Sequence, residues 1–240
     1  MIIDDALADL GPRPPGPLVQ ALGRFLPGIR EVQAQTEPYA AAWVRANQAA
    51  LAATGPLWVA LGDSMTQGIG ASAFDRGWLG QLSSRLRENG WDHRLLNLSV
   101  TGARVDDLLE TQVPALDAAV RSAGPAALVT VEIGSNDVVS PRHRRGLVDR
   151  FAAILDRLPD DAVVMNLPNP HREARRVDVL LRERAAAGRV VLADMRAEGP
   201  RSWRGLLAPD SFHPNDLGYA AMADVVEHAL QRAGLPERAS

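Results

Sequence analysis

From Leu57 onward the chain alternates short, nearly continuous apolar runs with longer segments of helical periodicity, and this alternation constrains the fold more than any other feature. The runs are 57–61, 95–99, 127–133, 162–167 and 190–193. A strand that is apolar on both faces must be covered on both faces, which is the situation of a parallel sheet between helical layers. The segments between the runs, 78–89, 105–121, 143–157 and 173–187, repeat their apolar residues at helical spacing. A last one follows Pro214, with Met222, Val225, Val226, Ala229 and Leu230 along one stripe. Pro114 lies inside the second segment and predicts a kink or two short helices, because proline has no N–H to donate. Right-handed crossovers between parallel strands then give an α/β fold, a three-layer α/β/α sandwich on a mostly parallel five-stranded sheet, flavodoxin-like in plan.

Residues 1–54 do not share this pattern. The Pro-rich stretch 11–17 can hold neither a helix nor an interior strand, and 37–54 reads as an Ala-rich helix with Trp43 and Leu51 among its apolar positions. The expected organisation is an N-terminal arm, 1–54, packed on one main domain, 55–240. The first residues, Met1-Ile2-Ile3-Asp4-Asp5, carry neither the basic nor the apolar part of a secretion signal, so a cytoplasmic location is expected. No apolar run approaches the roughly 20 residues of a membrane-spanning helix.

Composition removes several chemistries. The chain has no Cys, and all 26 basic residues are Arg. Thiol nucleophiles, disulfides and thiolate metal sites are excluded by the first fact. Walker-type phosphate loops, Schiff bases and pyridoxal-phosphate catalysis are excluded by the second. With 29 acidic residues the net charge is −3, which argues against a nucleic-acid partner. The five His (93, 143, 171, 213 and 228) form no metal-ligand pattern, so neither a metal nor a cofactor is expected. Gly68-Ile69-Gly70 with Ala73 superficially fits a dinucleotide loop, but it begins too far past the first strand to cradle a phosphate there.

In a parallel α/β sheet, ligands gather beyond the carboxyl ends of the strands. There the sequence places Gly62-Asp63-Ser64, then Asn97-Leu98-Ser99-Val100-Thr101-Gly102, then Gly134-Ser135-Asn136-Asp137. A fourth block, Asp210-Ser211-Phe212-His213, stands just before the last helix. Each block alone reads as a turn or a helix cap. Their chemistries are complementary, however. Ser64 offers a hydroxyl nucleophile, His213 a base and Asp210 a carboxylate to orient that base, while the N–H groups of Ser64 and Gly102 and the Asn136 amide can donate to an oxyanion.

With these four blocks in this order, the sequence resembles the SGNH hydrolase superfamily, the GDSL esterases and lipases, over roughly residues 57–233. The resemblance implies Ser64 as nucleophile, His213 as general base, Asp210 as its partner, and Ser64, Gly102 and Asn136 as the oxyanion hole. It also implies a serine ester hydrolase acting on a small-molecule ester. Alternatives are an acyltransferase or a carbohydrate O-deacetylase with the same triad, or a non-catalytic binding module. Met65 follows Gly-Asp-Ser where the family name has Leu. Candidate substrate contacts are Asp63, Arg142 in a basic run, His171 after the fourth strand, and the aromatic Trp203 and Phe212. The sequence leaves the oligomeric state, the particular ester and the role of 1–54 open.

Overall fold

The computed structural model describes residues 26–236, and the Pro-rich stretch 11–17 lies outside them. Strand β1 (Leu57–Gly62) is buried along its whole length because it lies inside the sheet. It pairs with β2 (Arg94–Asn97) on one side and with β3 (Ala126–Glu132) on the other. Then come β4 (Val163–Met165) and β5 (Val191–Ala193), giving the order β2-β1-β3-β4-β5 with every pair parallel.

Both faces of this sheet are cores, which explains the unbroken apolar runs. Leu57, Val59 and Leu61 point into one, shared with Leu96, Val129 and Val131. Trp58 and Ala60 point into the other, with Leu95, Leu128 and Val163. The first core is covered by α5 (Val105–Asp107), α6 (Val113–Ala123), α8 (Leu147–Leu155) and α9 (Arg172–Ala186). The second is covered by α2 (Thr36–Ala52), α4 (Trp78–Glu88) and α10 (Asp216–Ala233). Helix α4, the β1-to-β2 crossover, lies on the opposite face from the crossovers that follow. A right-handed connection must change face when the chain reverses direction across the sheet. Short helices α1 (Pro27–Gln33), α3 (Ser64–Gln67) and α7 (Ser135–Val139) complete the α-helices among the described residues. Among these residues no helix is long and apolar enough to cross a membrane.

Local chemistry moves three predicted boundaries. The second strand ends at Asn97, two residues early, because the Asn97 carboxamide oxygen takes both the N–H and the hydroxyl of Ser99 and turns the chain away. The helix expected from 143 begins at Leu147, after Gly146 in a left-handed conformation (φ +65°). Around Pro114 the helix is broken by a π-helical turn, Leu108–Gln112, in which the Val113 N–H reaches back to Leu108 O. Pro114 then falls in the first turn of α6, where its missing N–H costs nothing.

Candidate active site

The site is built where the sheet order reverses, between the ends of β1 and β3. Gly62 stands opposite Glu132 in that pairing, and a Cβ on it would lie 2.3 Å from Glu132 O and 2.4 Å from Thr66 Oγ1. Only glycine lets the chain turn into α3 this tightly. The buried Gln112 carboxamide then satisfies the strand end, accepting from Gly62 N–H and donating to Gly62 O, each at 2.8 Å. Asp63 caps α3 by accepting the Met65 N–H at 3.0 Å, which leaves Ser64 as the first helical residue.

Ser64 Oγ lies 2.8 Å from His213 Nε2, although 149 positions separate them. His213 sits on a closed loop, pinned by an antiparallel bridge between Leu207 and Pro214 and by the Ala208 N–H donating to His213 O at 2.8 Å. Within the loop Asp210 folds back on His213. Its Oδ2 is 2.5 Å from His213 Nδ1, while Oδ1 accepts the N–H groups of Phe212 and His213 at 3.0 Å each. The fold-back requires Ser211 to adopt φ +57°, a left-handed conformation unusual outside glycine and asparagine. Burial works against the Asp210 carboxylate, but the hydrogen bonds from His213 and the two amides outweigh it and hold its pKa below the ordinary value. A carboxylate on Nδ1 fixes the proton there, so Nε2 presents its lone pair to the serine hydroxyl.

In the loop after β2, Gly102 has φ +80°. Its amide makes no hydrogen bond with the other described residues. Asn136, in the first turn of α7, donates from Nδ2 to Asp63 Oδ2 at 3.2 Å and to Ala103 O at 3.0 Å. The Asn136 amide therefore ties together the Gly62-Asp63-Ser64 block, the Gly102 loop and its own block.

Beside Ser64 lies a pair of carboxyl groups, Asp63 and Glu132, both buried and hydrogen-bonded to each other. Burial raises both pKa values, and the charge of Asp63 raises Glu132 further. Asp63 keeps its charge to accept from Met65 and Asn136, so Glu132 is the partner that holds the proton. Between the ordinary carboxylate pKa and that of folded Glu132, the unfolded chain has released this proton and the folded chain has not. Stability therefore falls as pH rises through that window. The variant Glu132→Gln, neutral at every pH, should show a flatter decline than wild type as pH rises from the ordinary carboxylate range. Melting temperatures from pH 5 to 9 check this, and parallel curves for the two proteins would contradict a protonated Glu132.

The remaining expected contacts are placed as follows. Phe212, 37% exposed, meets the His213 ring edge-on at 4.9 Å between centroids. Trp203 is half-buried against the core that includes Trp43, Trp78 and Tyr219. Arg142 is exposed in the turn before α8, and His171 caps α9, its Nδ1 accepting the Glu173 N–H at 3.1 Å. Asp63, expected to touch substrate, has no exposed surface, so its part is to orient Asn136 and cap α3. Sequence reading missed Glu132 and Gln112. The available signal was one acidic residue in the otherwise apolar Val131-Glu132-Ile133 and one amide directly before Val113-Pro114.

Residues 60–221 match the family model described as the GDSL-like lipase/acylhydrolase family. Esterase TesA of Pseudomonas aeruginosa is 28% identical over 169 residues, which is 64% of this chain and 77% of that protein. A crystal structure of TesA superimposes with a TM-score of 0.57 at 22% identity, covering 73% of this chain and 98% of the other. The salicylyl-acyltransferase SsfX3 from a tetracycline biosynthetic pathway gives a TM-score of 0.52 at 25% identity, covering 78% of this chain and 57% of the other.

Proposed function

The chain belongs to the GDSL-like lipase/acylhydrolase family and is a carboxylic ester hydrolase of that kind, and from this premise we propose that it works through an acyl-enzyme on Ser64. The observation that carries the proposal is the continuous line from Ser64 Oγ through the His213 ring to Asp210, with contacts of 2.8 and 2.5 Å, at the reversal point of the sheet. Ser64 Oγ attacks the ester carbonyl carbon while His213 Nε2 takes its proton. The carbonyl oxygen becomes an oxyanion, stabilised by the N–H groups of Ser64 and Gly102 and by the Asn136 amide. His213 passes the proton to the departing alkoxide. Water, deprotonated by the same nitrogen, then attacks the acyl-enzyme, releasing the acid and restoring Ser64. Asp210 holds the ring in its tautomer and stabilises the imidazolium formed in each half. Phe212, beside the ring, forms a wall for the substrate.

A fluorophosphonate tests the nucleophile directly, because it traps a serine activated in this way. One adduct, located at Ser64 by peptide mass spectrometry and absent from Ser64→Ala, is the expected result; labelling at another serine would overturn the assignment. The similarity to an acyltransferase favours one second reading, transfer of the acyl group to an alcohol. Turnover of p-nitrophenyl acetate with and without a primary alcohol separates the two. A hydrolase yields acetic acid as the main product in both, whereas a transferase yields chiefly the new ester when the alcohol is present.

A further inference from the structure

Helix α2 lies outside the span matched by the family model, yet one of its faces is hydrogen-bonded to the loop that continues from the nucleophile. Gln35, Tyr39, Trp43 and Asn47 stand four residues apart, so their side chains form one ridge about 18 Å long. Each ends on a main-chain group. Gln35 accepts the Gly70 N–H at 2.7 Å and donates to Ala71 O at 3.1 Å. Tyr39 donates to the same Ala71 O at 2.8 Å, and Trp43 donates to Gln67 O at 3.0 Å. The Asn47 carboxamide exchanges two bonds with Asn97, donating to its O at 2.7 Å and accepting from its N–H at 2.8 Å.

The segment held by the first three residues touches both members of the Ser64–His213 pair. The Ile69 N–H folds back to the carbonyl of Ser64 at 3.0 Å. A methyl group on Gly70 would stand 2.7 Å from His213 Cβ and 2.5 Å from Pro214 O, so the Gly70 backbone is the surface on which the histidine rests. From the other side Tyr219 of α10 donates to Ile69 O at 2.6 Å. The loop passes through Gly68 and Gly70, both with left-handed φ (+81° and +99°), and has no regular secondary structure of its own to hold it. Side chains of α2 supply partners that a strand or helix would otherwise provide.

We infer that Gln35, Tyr39 and Trp43 are positioning residues for the esterase reaction, holding the last residue of α3 and the loop 68–71 so that Ser64 Oγ and His213 Nε2 stay within hydrogen-bond reach. The inference rests on the triad assigned above. It gives the helix of the N-terminal arm a part in catalysis, exerted through main-chain groups without contact to substrate. Displacement of a reacting group by about 1 Å can cost about 10² in rate, so partial release of this loop should appear in kcat before it appears in substrate binding.

The variants Gln35→Met, Tyr39→Phe and Trp43→Phe each remove hydrogen bonds while keeping an apolar body in place. Their kcat and KM for p-nitrophenyl butyrate, the rate of Ser64 phosphonylation by a fluorophosphonate, and the melting temperature are measured beside wild type and Ser64→Ala. Gln35→Met, which releases two bonds at Gly70 and Ala71, should lower kcat and the phosphonylation rate about tenfold well below its melting temperature, with KM within about twofold. Tyr39→Phe and Trp43→Phe should shift both rates in the same direction by smaller factors. If all three keep kcat and the phosphonylation rate within about twofold of wild type, whatever happens to the melting temperature, α2 is only a brace and the inference fails. Turnover retained by Ser64→Ala would overturn the triad itself, and the inference with it.

Discussion

Replacing Ser64 with alanine should lower kcat for a short p-nitrophenyl ester by roughly 10⁴–10⁶, and replacing His213 with alanine should cost as much. The two losses are expected to be equal because the groups act as one unit. Without the base, the Ser64 hydroxyl stays protonated at neutral pH, and without the hydroxyl the base has nothing to activate. The 2.8 Å contact between them is made in the resting protein, so no rearrangement is needed before attack. The double variant should therefore be no slower than either single one. Initial rates at saturating ester, corrected for spontaneous hydrolysis, measure this. A single variant retaining more than about a hundredth of the wild-type kcat would contradict the shared role.

Asn136→Ala should cost roughly 10²–10³ in kcat, the range found when one oxyanion donor is removed. In the resting protein both hydrogens of its amide are engaged, by Asp63 Oδ2 at 3.2 Å and Ala103 O at 3.0 Å. These bonds orient the amide, and one of its hydrogens turns to, or is shared with, the oxyanion as that charge forms. Because the new contact belongs to the transition state, the fall should lie in kcat with KM little changed. Asn136→Asp replaces the donor with an acceptor facing Asp63, so it should be slower still and less stable. A loss below about tenfold for Asn136→Ala, with a clear drop in melting temperature, would reduce Asn136 to a tie between loops.

The strands could be read from sequence because the sheet is covered on both faces, and such cover leaves an apolar run. Leu57 and Trp58 enter different cores, but both are apolar, and that is the whole signal. The blocks at the strand ends were legible for a different reason. Backbone turns beside a sheet require Gly, Asp, Ser and Asn, and the fold brings those turns to one place. What stayed hidden depends on main-chain groups that a one-letter sequence does not display. Gln35, Tyr39 and Asn47 look like the ordinary polar side of a helix until the main-chain groups they meet, in the loop after α3 and on the outer border of β2, are known. Glu132 was hidden in the opposite way: a charged residue in an apolar run marks the end of a strand, as it does here, but nothing in the run shows that it is also a buried partner of Asp63. His171 shows the converse limit, since its position after a strand suggested the cleft but said nothing of the helix end that its ring closes.

The Asn47–Asn97 pair has a consequence beyond catalysis. In β2 the N–H groups of Arg94 and Leu98 point inward to β1, so Asn97 faces outward, and β2 is the outermost strand on that side. An uncovered strand border is a template on which another chain can add itself. The Asn47 carboxamide, carrying one donor and one acceptor in the geometry of a peptide group, occupies that template with a single residue. It is a one-residue counterfeit of a sixth strand, and it leaves Asn97 with no outward main-chain group to offer another chain.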